Sequence, residues 1–228
     1  MNKVSLITTS RGLPLELAKA VLEVQSFTQK LPVPWELVII LDPPFSAPLP
    51  PIASTDRFEV RLLKNDKKLG RSKSLLRGLQ AATGDVIITF SLDMTIPLAE
   101  IFQFLQELTV DPELDLIIGN RYTSRKKMTS LRSSWHQTLE KILLEKYHRK
   151  EPRAFTDPLC AYFGLRKESF AKVSQNLNFN SWYFMPELLI EARKQKWKIL
   201  EAPILSRDEK PSAIPLFKEY SKAALRAY

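Results

Sequence analysis

Cysteine is almost missing from these 228 residues: Cys160 stands alone. No disulfide can form within the chain, and a reducing compartment is the simpler expectation. Long apolar runs are missing too. No stretch approaches the ~20 residues a membrane-spanning helix needs. The opening MNKVSLITTSRG breaks from a short apolar run into Thr, Ser and Arg, which reads as a first strand and not as a secretory leader. A soluble, cytoplasmic protein is expected. Internal repeats are absent, as is any linker clean enough to cut the chain, so residues 1–228 are expected to form one domain. No nucleic-acid-binding motif occurs, and Tyr122, Trp135, Tyr147, Trp182 and Trp197 fall at core-like positions, so nucleic acid is not expected as a partner.

Hydrophobic residues make up 44% of the chain, enough for a globular core. The net charge of +9 is unevenly spread. Residues 1–120 hold 12 Lys and Arg against 14 Asp and Glu, whereas residues 121–228 hold 22 against 11. A basic half beside a near-neutral one implies that the second half meets something anionic: nucleic acid, a phosphate-bearing substrate or a membrane surface.

Short runs rich in Val, Ile and Leu alternate with segments of helical period, which predicts βα units on a mainly parallel sheet. Strands are expected at 4–9, 35–41, 58–63, 85–90, 114–119, 159–165 and 197–205. Helices are expected at 13–27, 72–83 (ended by Gly84), 96–108, 131–148 and 184–196. Five prolines within 43–56 demand a loop there.

A parallel sheet binds ligands beyond the carboxyl ends of its strands. Asp42 and Asp93 both stand at such ends. A carboxylate there either coordinates Mg²⁺ or Mn²⁺, which take oxygen ligands, or caps the helix or turn that follows. Spacing alone leaves both readings open.

The stretch NDKKLGRSKSLLRGLQAATGDVIITFSLDMTIP resembles a segment of the family 2 glycosyltransferases, whose domain has the GT-A nucleotide-sugar fold. In the family this segment reads N-x-G-K-G-x-A, a helix, A-x-G-D, an apolar strand and D-A-D. DLIIGNRY (115–122), FTDPLCAYFGLRKESF (155–170) and ELLIEARKQKWKILEAPI (187–204) resemble further family motifs in the same order. The branch that looks most similar transfers sugars to polyprenyl or dolichyl phosphates. The resemblance implies an α/β GT-A domain with a donor-binding half, 1–120, and a basic acceptor-binding half, 121–228. It also implies a nucleotide-diphosphate sugar as donor and Mg²⁺ or Mn²⁺ as cofactor.

Carried over residue by residue, the resemblance makes Asp93 the surviving second acid of D-A-D, a metal ligand and catalytic group, with Ser91 on the lost first acid. Asp42 falls on the second acid of the family's D-D-G-S, Leu41 on the first, which usually reads the nucleotide base. Arg71, in Gly70-Arg71-Ser72, stands on the Lys of Gly-Lys-Gly before a helix N-terminus, a place suited to anions. Arg207, five residues before Ser212, resembles the family's arginine over the donor diphosphate. Thr8 to Gly12 replace the family's P-x-Y-N-E.

On the acceptor side Arg121 matches the Arg of G-S-R. Arg132 matches a downstream Arg-x-x-x-Ser, with His136 in place of Ser on the same helix face. Arg121, Arg132 and His136 are thereby implied to bind an acceptor phosphate, to which guanidinium offers paired donors. No obvious Asp–His catalytic pair occurs; an anionic acceptor does not strictly need a base, and Asp157 is the best remaining acid, its other reading being a turn cap before Pro158. Trp135, Leu139, Ile142 and Leu143 form a helical stripe near Arg125, Lys126 and Lys127, a pattern of helices at anionic membrane surfaces or of a stripe packed on the sheet. The rival to a peripheral membrane enzyme is a degenerate GT-A domain that binds a nucleotide sugar or a partner without turnover.

Overall fold

The computed structural model describes residues 1–11, 17–44, 54–92, 96–122, 145, 155–179 and 184–205. Short β-branched runs supply the strands β1 (Val4–Arg11), β2 (Trp35–Asp42), β3 (Phe58–Lys64) and β4 (Val86–Thr89). They are followed by β5 (Leu114–Asn120), β6 (Phe163–Arg166) and β7 (Lys198–Pro203). Between them run the helices α1 (Leu17–Thr28), α2 (Arg71–Ala81), α3 (Leu98–Val110), α4 (Lys167–Val173) and α5 (Met185–Lys194).

Among the described residues the strands form one seven-stranded sheet in the order β3-β2-β1-β4-β6-β5-β7. Every neighbouring pair is parallel except those of β6, which runs antiparallel to β4 and β5. The expected α/β architecture with a mainly parallel sheet is therefore observed. The chain leaves β1 outward to β2 and β3, then returns to β4 on the other side of β1, so the direction of winding reverses between β1 and β4. Such a reversal opens a crevice beyond the carboxyl ends of the strands.

Strand periodicity sorts the core into two layers. Val4 and Leu6 of β1 and Leu37, Ile39 and Leu41 of β2 pack with α1 and α3 on one face. Ile7, Val38 and Ile40 pack with α2, α4 and α5 on the other. All eight residues of β2 are buried, as expected for a strand covered on both faces.

At the amino edge of the sheet a buried acid ties the return from α2 into β4. Glu36, without solvent exposure, accepts hydrogen bonds from Ser5 Oγ (2.5 Å), the Thr83 N–H (2.6 Å) and Arg61 Nη1 (3.0 Å). Gly84 N donates to Ser5 Oγ at 2.8 Å. These bonds turn Thr83 and Gly84 away from the helix, so α2 stops at Ala81 and not at the expected Thr83. A Cβ on Gly84 would stand 2.7 Å from Ser5 N and 2.8 Å from Lys3 O, so the glycine is required by close backbone approach.

Other boundaries moved for equally local reasons. The strand expected at 159–165 begins only at Phe163, because the ladder with β4 ends at Ile88 and Gly164 and the Thr89 side chain takes over from it. Thr89 Oγ1 accepts from Phe163 N at 3.1 Å and donates to Ala161 O at 2.9 Å. Helix α4 was not expected: seven residues with Phe170 and Val173 as the buried apolar pair carry too little period. The helix expected at 131–148 lies outside the described residues apart from Glu145. No helix among the described residues is long and apolar enough to cross a membrane.

Candidate active site at the carboxyl edge of the sheet

Strands β1, β2, β3, β4 and β5 all end on one rim, and antiparallel β6 begins there. The rim carries Arg11, Asp42, Lys64, Ser91 and Arg121 at or just past the strand ends. It is built in two parts.

The first part surrounds the N-terminus of α2. Asp42 is buried, and its Oδ1 accepts from Asn65 Nδ2 (2.7 Å), Ser74 Oγ (3.1 Å) and Leu69 N (3.2 Å). Its Oδ2 accepts from Gly70 N at 2.7 Å. Arg77 reinforces the same loop by donating to Asn65 Oδ1 and to Lys64 O. Gly70 caps α2 with φ 85°, a left-handed conformation that an L side chain rarely adopts. The result is a rigid loop that delivers Arg71 as the first residue of a helix, where the dipole is positive. Asp42 thus meets four donors of its own chain and organises the loop that bears Arg71.

The second part joins β5 to the segment before β6. Arg121 Nε donates to Asp157 Oδ2 at 2.7 Å and Arg121 Nη2 to Asp157 Oδ1 at 2.8 Å, a bidentate pair. The Arg121 backbone N–H adds a third bond to Oδ2 at 3.1 Å. Asp157 has no exposed surface and Arg121 retains 9%. A carboxylate so enclosed is placed to orient the guanidinium. Tyr122, half exposed, stacks 5.7 Å below the guanidinium. Two further acceptors close the structure: Glu201 Oε1 takes Asp157 N at 2.7 Å, and Glu201 Oε2 takes Thr156 N at 3.0 Å.

Cys160 lies under this pair, its N–H on Asp157 O at 3.1 Å. Burial pushes its thiol up to about 12, and the Asp157 carboxylate adds to the shift, while Arg121 and Arg71 oppose it. The thiol is therefore no nucleophile at neutral pH.

Of the residues expected from the sequence, the structure brings Arg71, Arg121 and Asp157 onto this rim, with Asp42 behind Arg71 and Ser91 half-buried past the end of β4. Phe90 N on Ile7 O at 3.0 Å fixes Ser91 beside the point where the winding reverses. Asp93, Arg132, His136 and Arg207 lie outside the described residues. Among the described residues no group of three or more His, Cys, Asp or Glu gathers as a metal-ligand set. Asn65, Thr89 and Glu201 were missed. Glu201 sits in the ILEAPI stretch, and nothing in the sequence ties it to two amides some 45 residues earlier.

The family model described as Glycosyl transferase family 2 matches residues 14–174. A dolichol-phosphate mannosyltransferase of Pyrococcus furiosus is 26% identical over 151 residues, 65% of this chain and 41% of that protein. The glycosyltransferase AglD of Haloferax volcanii is 24% identical over 157 residues, 67% of this chain and 24% of that protein. The chain thus spans less than half the length of these relatives. Among solved structures, glucosyl-3-phosphoglycerate synthase from Mycobacterium tuberculosis, in complex with Mn²⁺, uridine diphosphate and phosphoglyceric acid, superposes with a TM-score of 0.60 at 15% identity. That match covers 98% of this chain and 75% of the other. Mannosyl-3-phosphoglycerate synthase from Rubrobacter xylanophilus gives 0.63 at 12%, covering 99% and 72%. The likeness to these structures is one of fold. With the family model matched from α1 to the end of α4, the chain belongs to glycosyl transferase family 2 and has the GT-A fold.

Proposed function

We propose that this domain transfers a sugar from a nucleotide-diphosphate sugar to an acceptor that carries a phosphate, a polyprenyl phosphate at the membrane surface. One observation carries the reading. On the carboxyl rim a nearly buried arginine, Arg121, is held in a single orientation by a buried carboxylate, and its match to the Arg of the family's G-S-R motif supports a role in binding an anionic acceptor. Asp157 grips the Nε and Nη2 side of that guanidinium and so sets its plane. Arg132 and His136 join Arg121 in meeting the acceptor phosphate. The dolichol-phosphate mannosyltransferases among the relatives support a polyprenyl phosphate. The Arg125-Lys126-Lys127 cluster supports peripheral attachment to anionic lipid.

On the donor side, Arg71 at the N-terminus of α2 and Arg207 meet the diphosphate, and Asp42 keeps the Arg71 loop in place. Ser91 and Asp93 offer an oxygen-only pair, which fits a hard Mg²⁺ or Mn²⁺ ion whose other ligands are diphosphate and water. When bound, such an ion supplies charge stabilisation for the departing diphosphate. The two arginines do the same without it. An acceptor phosphate is already a nucleophile, so Asp157 need not remove a proton.

A second reading, nucleotide-sugar binding without turnover, is favoured by one fact. The only acid left at the end of β2 is committed to four donors of its own chain, so base recognition must come from elsewhere. A panel of nucleotide sugars tested by thermal shift, with and without Mn²⁺, followed by donor consumption with polyprenyl phosphate, separates the two. Stabilisation by one donor and consumption that requires the acceptor phosphate support transfer. Stabilisation without consumption selects the second reading, and no stabilisation by any donor refutes both.

A further inference from the structure

We propose that Glu201 is a positioning residue for the Arg121 guanidinium, acting through Asp157; the functional side of this rests on Arg121 meeting an acceptor anion. Parallel strands β5 and β7 pair Ile118 with Glu201, Gly119 with Ala202 and Asn120 with Pro203. Arg121 therefore leaves β5 a few residues beyond the level of Glu201. The segment Phe155–Cys160 passes between them with no strand ladder of its own. A segment of this kind holds one orientation only if its amides find fixed acceptors. Glu201 provides two, one oxygen for each of two successive N–H groups, on Thr156 and Asp157.

The consequence runs through one residue. The Asp157 amide is anchored to β7 while its side chain grips both the guanidinium and the backbone N–H of Arg121. Fixing the amide fixes the carboxylate, and the planar carboxylate fixes the plane of the guanidinium. An acid on β7 that merely faced solvent would not divide its two oxygens between adjacent amides.

Side-chain Nε–H exchange tests this without any ligand. Arg121 Nε–H lies on Asp157 Oδ2 at 2.7 Å, and Arg166 Nε–H lies on Leu114 O at 2.9 Å, far from the rim, as an internal reference. In Glu201→Gln one amide loses its acceptor, and Arg121 Nε–H is expected to exchange about tenfold faster while Arg166 stays within about twofold. Glu201→Ala should enlarge the effect, and the Gln variant carries the test if the Ala variant does not fold. Equal acceleration of both arginines, or of neither, overturns the proposal. Geranyl monophosphate titrated against the same proteins then reads the functional side. Weaker binding in Glu201→Gln, with no further loss when it is added to Arg121→Gln, supports the coupling, whereas additive losses overturn it. Absence of geranyl monophosphate binding in the wild type would sink the acceptor reading and leave the exchange result to judge Glu201 alone.

Discussion

Both edges of the sheet bury carboxylates, yet the two edges use them differently. At the amino edge Glu36 gathers Ser5, Thr83 and Arg61, with Lys3 at 3.5 Å, and every group involved serves to close the sheet. At the carboxyl edge Asp42 and Asp157 each fix a loop that presents an arginine to the rim. The amino edge spends its buried charge on the fold alone, and the carboxyl edge spends it on orientation. Damage to the first should lower stability and spare binding. Damage to the second should shift binding out of proportion to stability.

The strongest break of this comparison is Gly84→Ala. The new methyl group would meet Ser5 N and Lys3 O, which are backbone and cannot swing aside. A cost of about 4 kcal/mol or more is expected. Urea denaturation at pH 7 measures it; a change under about 1 kcal/mol would mean that the α2–β4 return is plastic.

Glu36→Gln comes next. Burial alone would raise the Glu36 pKa, but hydrogen bonds from Ser5, Thr83 and Arg61 outweigh it and hold the value at about 2, below the usual 4.5. Because the folded value is the lower one, the contribution is fully present above about pH 4.5. It fades as the pH falls toward 2. Its size is on the order of 3 kcal/mol, and Glu36→Gln should cost a similar amount at pH 7. The variant should also lose most of the acid-dependent slope between pH 4.5 and 2. Nucleotide-diphosphate affinity, measured where the variant is folded, should stay at the wild-type level. A variant that retains the wild-type acid profile would show that other carboxylates govern that interval.

How much of this contrast was legible beforehand depends on chain separation. The alternation of VSLITT, WELVIIL and DVIITF with helical segments fixed the βα order, because strand and helix periods are local properties. Asp42 and Asp93 followed from strand ends, also local, and the other carboxyl-edge candidates from motifs read along the chain. Glu36 did not follow. It sits inside WELVIIL, and its partners Ser5, Arg61 and Thr83 come from three other segments. The Arg121–Asp157 pair spans 36 residues, and its anchor Glu201 lies 44 further on. Asp42 shows the same limit in reverse: its position at a strand end was readable, but the four donors around it were not. Contacts assembled by the sheet become visible only once the strand order is known.

Asp42→Asn probes the carboxyl edge at intermediate strength. The amide would turn a donor toward one of the N–H groups now served, at a cost of about 2 kcal/mol. The Gly70–Arg71 turn should loosen with it. Nucleotide-diphosphate affinity is therefore expected to fall about tenfold, which Glu36→Gln does not cause despite its larger stability cost. Equal affinities in the two variants would erase the distinction between the edges.

The smallest effect on stability, and the sharpest on binding, belongs to the end of β4. Ser91 is half-buried past the last strand residue, so a carboxylate there keeps contact with water. Ser91→Asp should change the urea midpoint negligibly, by less than about 0.5 kcal/mol in stability. It restores a second acid two residues before Asp93, and oxygen ligands of that charge favour Mg²⁺ or Mn²⁺. Isothermal titration of the nucleotide diphosphate with and without Mn²⁺ should then show tighter binding in the metal-containing arm only. Asp93→Ala should remove the metal-dependent part while leaving the melting temperature of the free protein nearly unchanged. A large fall in that temperature would make Asp93 a structural cap, and an unaltered metal response in Ser91→Asp would favour binding without turnover.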